Sequence, residues 1–108
     1  MSMLRGEMVH IKTKHFTIKT VRSCPTDPDR YLVRAIPTFS YSYEAIKALA
    51  AAFPQIRFSD TFLAAKITEG PLTILVFAKG AILVRNAATQ GQAVKVIRKI
   101  VDLLAKHV

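Results

Sequence analysis

The sequence predicts an α+β domain, in which an antiparallel sheet has one face covered by helices and the other face open. Between Phe62 and Arg85 the hydrophobicity alternates with the period of two that is typical of strands. Turn signals at Glu69-Gly70-Pro71 and Lys79-Gly80 divide this stretch into three strands. A helical pattern follows from Gln90, and a run of strands followed by a helix is typical of this class.

Side chains alternate sides along a strand, so the three strands can be sorted into two faces. One face is wholly apolar and consists of Leu63, Ala65, Ile67, Leu72, Ile74, Val76, Ile82 and Val84. The other mixes aromatic, aliphatic and cationic side chains, namely Phe62, Ala64, Lys66, Thr68, Thr73, Leu75, Phe77, Leu83 and Arg85. The apolar face must be covered to be stable, whereas the mixed face is available.

The predicted cover is a terminal helix, which opens at Thr89-Gln90-Gly91-Gln92 with the Thr-x-x-Gln form of a capping box. Its apolar half consists of Ala93, Val94, Val96, Ile97, Ile100, Val101, Leu103, Leu104 and Val108. Its polar half consists of Lys95, Arg98, Lys99, Asp102 and Lys106. So wide an apolar arc is expected to lie along a sheet and to cross several strands.

The order of these segments resembles one repeat of the TATA-box-binding protein (TBP) family. The segments FLAAKITEGP, LTILVFAKGAILVRNAA and TQGQAVKVIRKIVDLLAKHV carry the resemblance: a strand with a Gly-Pro turn, a hairpin with Phe-x-x-Gly, and a basic helix. The resemblance implies a TBP-like curved antiparallel sheet with two helices on its convex face. It also implies two phenylalanines on the concave face that wedge into the DNA minor groove, and Phe62 and Phe77 stand at the matching positions.

The resemblance further implies that Leu75 and Leu83 make apolar contacts in the groove beside the two phenylalanines. Lys66 and Arg85 lie on the same predicted face and are expected to contact phosphate, although a solvated sheet face would carry such residues as well. Arg85 and Asn86 stand where the family usually has threonine and glycine.

The preceding residues complete one repeat. Residues 30–36 are predicted as a strand that ends at Pro37, and residues 43–53 as a helix capped by Ser40 or Ser42. The apolar stripe of this helix is Ile46, Leu49, Ala50 and Phe53, and Pro54 ends the helix. Residues 56–59 form a further short strand, so the predicted TBP-like repeat spans residues 30–108.

Residues 1–29 are predicted to form an N-terminal extension with one or two strands. Residues 8–22 are rich in β-branched residues and lysines, and their apolar phase changes near Thr13 and Lys14, which indicates a bulge or turn. This basic segment is either a solvated strand face or a phosphate-contacting edge. It could also form a hairpin with residues 30–36 through the CPTDPD connection.

The expected oligomeric state depends on that hairpin. The TBP saddle needs two repeats, so an equivalent saddle from this chain would require a twofold homodimer. In the family, repeats join edge to edge through their first strands. A hairpin between the extension and residues 30–36 would cover the same edge, and a dimer would then form differently or not at all.

Composition and charge set the expected partner. The chain has 108 residues and is 51% hydrophobic, which argues against disorder, and no apolar run reaches the length of a membrane span. Sixteen Lys and Arg against seven Asp and Glu give a net charge of +9, which favours an anionic partner. The single cysteine and the absence of a signal peptide suggest a cytoplasmic protein without disulfides, associated with the nucleoid if it binds DNA.

Enzymatic function is the least supported class, because the mixed face has no paired carboxylates, no Ser-His-Asp set and no glycine-rich phosphate loop. His10 and His15 lack the further ligands of a metal site. The sequence therefore predicts no catalytic residues, metal or cofactor.

The leading hypothesis is a nucleic-acid-binding domain for duplex DNA or an RNA-DNA hybrid. Its candidate site residues are Phe62, Phe77, Leu75, Leu83, Lys66 and Arg85. The alternative is a protein-interaction or assembly module that self-associates through the open face, in which case the phenylalanines are buried by a partner or by the N-terminal strands. Lys95, Arg98, Lys99 and Lys106 are expected to form a solvent-facing helix surface. The alternative for this surface is a docking site for another protein, which the TBP resemblance implies for the convex side.

Overall fold

The computed structural model of the protein describes residues 11–12, 16–24 and 27–106. The predictions that concern Thr13, Lys14, the two N-terminal histidines and Val108 lie outside these residues. The strands are β1 (Ile11–Lys12), β2 (Phe16–Cys24), β3 (Asp27–Pro37), β4 (Ile56–Ser59), β5 (Ala64–Glu69), β6 (Leu72–Phe77) and β7 (Ile82–Ala87). The helices are α1 (Tyr43–Lys47), which a 3-10 turn (Ala48–Ala51) continues, and α2 (Gln90–Ala105).

The described strands form one antiparallel sheet in the order β1-β2-β3-β7-β6-β5-β4. The predicted N-terminal hairpin is confirmed, because β2 pairs with β3 along most of its length. β3 itself begins at Asp27, three residues before the predicted strand. The edge of β3 is therefore occupied within the chain, and the first two strands widen the sheet instead of covering its face.

The hydrophobic core lies between the sheet and the helices. The predicted apolar face is confirmed over β5, β6 and β7, where Ala65, Ile67, Leu72, Ile74, Val76, Ile82 and Val84 are all buried. Helix α2 contributes Ala93, Val96, Ile97, Ile100, Val101 and Leu104 to the same cluster, and the first helical segment contributes Ala45, Ile46 and Leu49. Both helices thus cover one face of the sheet, and the fold is of the predicted α+β class.

Helix α2 begins as the capping pattern predicts. The Thr89 hydroxyl accepts a hydrogen bond from the Gln92 N–H at 3.0 Å, and the Gln92 side chain accepts one from the Ala88 N–H at 2.7 Å. The second bond reaches one residue before the N-cap, so the box closes on Ala88 instead of on Thr89 itself. The polar half of the helix is exposed as expected.

The first helix is shorter than predicted. Ser42 caps it, with its hydroxyl accepting from the Ala45 N–H at 3.3 Å, but the α-helix ends at Lys47. A 3-10 turn has about 3.0 residues per turn, so residues three apart share a face. Leu49 therefore stays in line with the buried Ile46, whereas Ala50 is exposed and does not belong to the predicted stripe.

A second correction concerns the start of β5. The prediction began this strand at Phe62 and placed Leu63 on the core face, but the strand begins at Ala64 and pairs there with Ser59. Residues 60–63 form the hairpin turn, in which Leu63 has a φ of +49° and is 47% exposed. The alternation of faces holds only for extended backbone, so it does not apply before Ala64.

Candidate nucleic-acid interface

The sheet face opposite the helices is called the open face here. Its described side chains alternate along their strands with residues on the core side, and they are Thr17, Arg22, Leu32, Arg34, Ile36, Arg57, Ser59, Ala64, Lys66, Thr68, Thr73, Leu75, Phe77, Leu83 and Arg85. None of them is an aspartate or a glutamate. Among the described charged side chains, the open face is therefore purely cationic.

One cross-strand row organises the centre of the open face. Direct pairing joins Arg57, Lys66, Leu75, Leu83 and Arg34 across five neighbouring strands. The two leucines lie in the middle and the cations at both ends. Because neighbouring strands are about 4.8 Å apart, the three steps from Lys66 to Arg34 span about 14 Å. An apolar strip is thus bordered by positive charge on two sides.

Phe77 stands beside this strip at the end of β6, and the core holds its backbone in place. The Tyr41 hydroxyl donates to the Phe77 carbonyl at 2.7 Å, and the Gly80 N–H donates to the same oxygen at 3.0 Å. The Phe77 N–H in turn donates to the Ala81 carbonyl at 2.9 Å. Burial raises the pKa of Tyr41 well above its usual range, so this hydroxyl remains a donor.

Phe62 projects from the turn between β4 and β5 and is 72% exposed. Its N–H donates to the Ser59 hydroxyl at 3.3 Å, which ties the turn to the end of β4. The next residue, Leu63, accepts from the Ala78 N–H at 2.9 Å. The turn that carries Phe62 is therefore bonded to the turn that follows Phe77.

Two depressions lie on either side of Phe77. The first, of about 200 Å³, is lined by Phe62, Phe77, Leu75, Arg57, Lys66 and their neighbours in β4 and β5. The second, of about 410 Å³, is lined by Arg22, Leu32, Arg34, Phe77, Ala81 and Leu83. Each depression therefore combines apolar side chains with two cations, and the Phe77 ring forms the wall between them.

Arg85 lies on the open face, opposite Thr73, but it lines neither of these depressions. Its neighbour Asn86 has a φ of +67°, which asparagine tolerates better than most residues. The Asn86 side-chain amide donates to the Pro71 carbonyl at 2.8 Å. The pairing of β7 with β3 shifts at this point, so Ala87 returns to the core.

The predicted site residues thus divide into groups. Phe62, Phe77, Leu75 and Lys66 line the first depression, Leu83 lines the second, and Arg85 stands apart. Sequence reasoning placed Arg22 in the basic N-terminal segment that was a possible phosphate-contacting edge, but it did not name Arg34 and Arg57. Alternation within the predicted strands could have found Arg34 and Arg57, because each is flanked by core-facing residues.

The cations of α2 lie on the other side of the protein, beyond the helix layer. Lys95, Arg98, Lys99 and Lys106 are all exposed. The Arg98 guanidinium lies 5.8 Å from the centroid of the Phe16 ring, and the Lys99 ammonium lies 4.8 Å from that of Phe53. These two side chains therefore cover aromatic residues of the core. A docking role for this surface stays a prediction.

The hairpin that carries Phe62 is also tied to the first helix. The Tyr43 hydroxyl donates to an Asp60 carboxylate oxygen at 2.7 Å, and the Tyr43 ring packs edge-on against Phe58 with centroids 6.4 Å apart. Desolvation and the hydrogen bond to Asp60 raise the pKa of Tyr43 to about 12. The Asp60 carboxylate, in the turn that carries Phe62, is thus engaged by a helix residue.

Comparison with known proteins adds no assignment: no protein-family model, curated protein or solved structure matches this chain. Within residues 11–12, 16–24 and 27–106, no helix is long and apolar enough to cross a membrane. The same residues contain no cluster of three or more His, Cys, Asp or Glu side chains that could hold a metal ion. The open face is the candidate functional site of the protein.

Proposed function

We propose that this protein binds nucleic acid through the open face of its sheet. The carrying observation is that two phenylalanines, Phe62 and Phe77, line one depression together with Arg57 and Lys66, on a face whose described charged residues are all cations. The rings contact bases or sugars, and the cations neutralise phosphates. Aromatic contacts and cations on one surface are the combination on which sequence-tolerant nucleic-acid binding depends.

The spacing of the open face supports a ligand with two charged borders. Leu75 and Leu83 form an apolar centre, and Lys66 and Arg34 stand about 14 Å apart on either side of it. A groove of duplex DNA or of an RNA-DNA hybrid has a similar arrangement, because sugars and base edges lie between two rows of phosphates. Wedging of Phe62 and Phe77 between bases would open such a groove.

We also propose that residues 30–108 are a single TBP-like repeat. The chain order of one strand, one helix, four strands and one helix agrees with the order that the resemblance implies, and the helices share one side of the sheet. Because β2 occupies the edge of β3, one chain binds without the edge-to-edge dimer of the family's saddle. With this function, we propose that the protein is cytoplasmic and, where its ligand is DNA, associated with the nucleoid.

Self-association is the second candidate function, and one specific observation favours it. The described large hydrophobic residues that are exposed, Phe58, Phe62 and Leu63, all belong to the β4–β5 hairpin. Exposed apolar residues that cluster in this way are typical of interaction surfaces. In this case Phe62 contacts a second copy of the chain instead of a base.

Titration of labelled duplex DNA and RNA-DNA hybrid at low salt, together with the solution mass of the protein, tests both candidates. Nucleic-acid binding predicts saturable binding that weakens with salt, and a loss of binding without a change of mass in Phe77→Asp. Self-association predicts a dimer that Phe77→Asp converts to a monomer. If neither ligand binds at low salt, the nucleic-acid proposal is wrong.

A further inference from the structure

Two like charges face each other at the border of the open face. Arg57 in β4 is the direct cross-strand partner of Lys66 in β5, and both side chains are exposed. Directly opposed side chains of an antiparallel pair have Cβ atoms about 5 Å apart, and like charges at this position destabilise the pair. No ion pair with a described carboxylate offsets this repulsion. The protein thus keeps two cations at directly paired positions, where an anion would be stabilised.

A third depression adjoins this cationic pair. It has a volume of about 390 Å³ and is lined by Pro54, Gln55, Ile56, Arg57, Lys66 and Thr68. Its backbone is fixed, because the Thr68 N–H donates to the Gln55 carbonyl at 2.8 Å. The Thr68 hydroxyl and the Gln55 side-chain amide make no hydrogen bond to any described residue. Two cations and two neutral donors therefore line one depression without a described acceptor of their own.

The charge and the place of this site favour one kind of anion, a phosphate monoester. A phosphate monoester carries about −1.5 to −2 charges at pH 7, whereas each internal phosphate of a nucleic acid carries one. Two adjacent cations match the monoester. The site also lies on β4, the outermost strand on this side of the sheet, so a nucleic acid on the open face reaches the end of the protein here.

We infer that Arg57 and Lys66 bind the terminal phosphate of a nucleic-acid strand, with Thr68 and Gln55 as neutral donors. This inference rests on the proposed function, because the rest of the strand occupies the open face beyond the pair. The cationic pair thus recognises the end of a strand, whereas Phe62 and Phe77 contact the interior of the ligand.

Matched oligonucleotides test the inference. They have one sequence and carry a 5′-phosphate, a 3′-phosphate or hydroxyl groups at both ends. We expect one phosphorylated form to bind at least about 5-fold more tightly than the hydroxyl form, since charge-assisted hydrogen bonds are the strong ones. In Arg57→Gln the ratio of the affinity for the phosphorylated form to the affinity for the hydroxyl form falls to about 1. In Arg34→Gln, on the far side of the apolar strip, all three affinities fall and the preference persists.

Stability provides a second readout that needs no nucleic acid. Because Arg57→Gln removes the repulsion, it should raise Tm at low ionic strength by about 1–6 °C. Inorganic phosphate should raise the Tm of the wild type more than that of Arg57→Gln, with chloride at equal ionic strength as the control.

Equal affinity of the wild type for all three oligonucleotides would overturn the inference and leave the proposed function intact. Absence of binding to any of them at low salt would overturn the proposed function and the inference with it.

Discussion

The hydroxyl of Tyr41, a residue of the core, donates a 2.7 Å hydrogen bond to the backbone carbonyl of Phe77, whose ring lies on the open face. The two residues are 36 positions apart in the chain. The bond connects the segment before the first helix to the end of β6. The position of the central aromatic ring of the candidate interface is therefore fixed from the opposite side of the sheet.

Loss of this bond should weaken both stability and binding. In Tyr41→Phe the Phe77 carbonyl keeps only the bond from Gly80, and the free energy of unfolding should fall by about 0.5–1.5 kcal/mol. Nucleic-acid affinity should fall as well, because the Phe77 ring is less well positioned. Urea denaturation and DNA titration measure the two effects. Unchanged affinity in a destabilised variant would show that the bond serves stability alone.

Phe62 should matter for binding and not for folding. Its side chain is 72% exposed, so Phe62→Ala should change the free energy of unfolding by no more than about 0.5 kcal/mol. Loss of a base-aromatic contact should cost about 1–3 kcal/mol of binding free energy. Phe62→Leu, which keeps an apolar side chain but removes the ring, serves as the matched variant. Binding by Phe62→Leu that equals the wild type would argue against stacking.

The salt dependence of binding should identify the cations that contact phosphate. For duplex DNA, each phosphate contact contributes about 0.9 to the slope of the logarithm of affinity against the logarithm of salt concentration. Arg34→Gln should therefore reduce the steepness of the slope by about 0.9. Lys106→Gln, at the exposed end of α2, should leave the slope unchanged. A slope that responds to Lys106 and not to Arg34 would place the nucleic acid on the helix side.

The bond between Tyr43 and Asp60 should make stability depend on alkaline pH. The pKa of Tyr43 is raised from 10.0 to about 12 in the folded protein, so the folded state retains the phenolic proton longer than the unfolded state. The stabilising contribution is complete below pH 10 and is lost as the pH rises to about 12.

Thermal melts of the wild type and Tyr43→Phe between pH 9 and 12 isolate this contribution, because the other titrating groups are common to both proteins. The difference in Tm should shrink as the pH rises. Tyr41, whose pKa is also raised, still titrates in both proteins and so cancels in the comparison. A difference that stays constant over this range would mean that the Tyr43 proton does not contribute.

Three features could be predicted from the sequence because they depend on neighbouring residues. The alternation of β5, β6 and β7 separated the buried Ile74 from the half-exposed Phe77, and the pattern around Thr89 located the start of α2. The N-terminal hairpin followed from two β-rich segments and a turn-forming connection. These are properties of short segments, so the local sequence specifies them.

The tertiary structure decided the rest. The φ of +49° at Leu63, the 3-10 turn that exposes Ala50, and the bond from Tyr41 to Phe77 all depend on packing between distant segments. The pairing of Arg57 with Lys66 depends on the register between β4 and β5, which the turn of residues 60–63 sets. Composition and alternation thus determined a basic open face. Only the paired strands decided which cations and rings meet on it, because register and turn geometry are settled by the packing of the whole core.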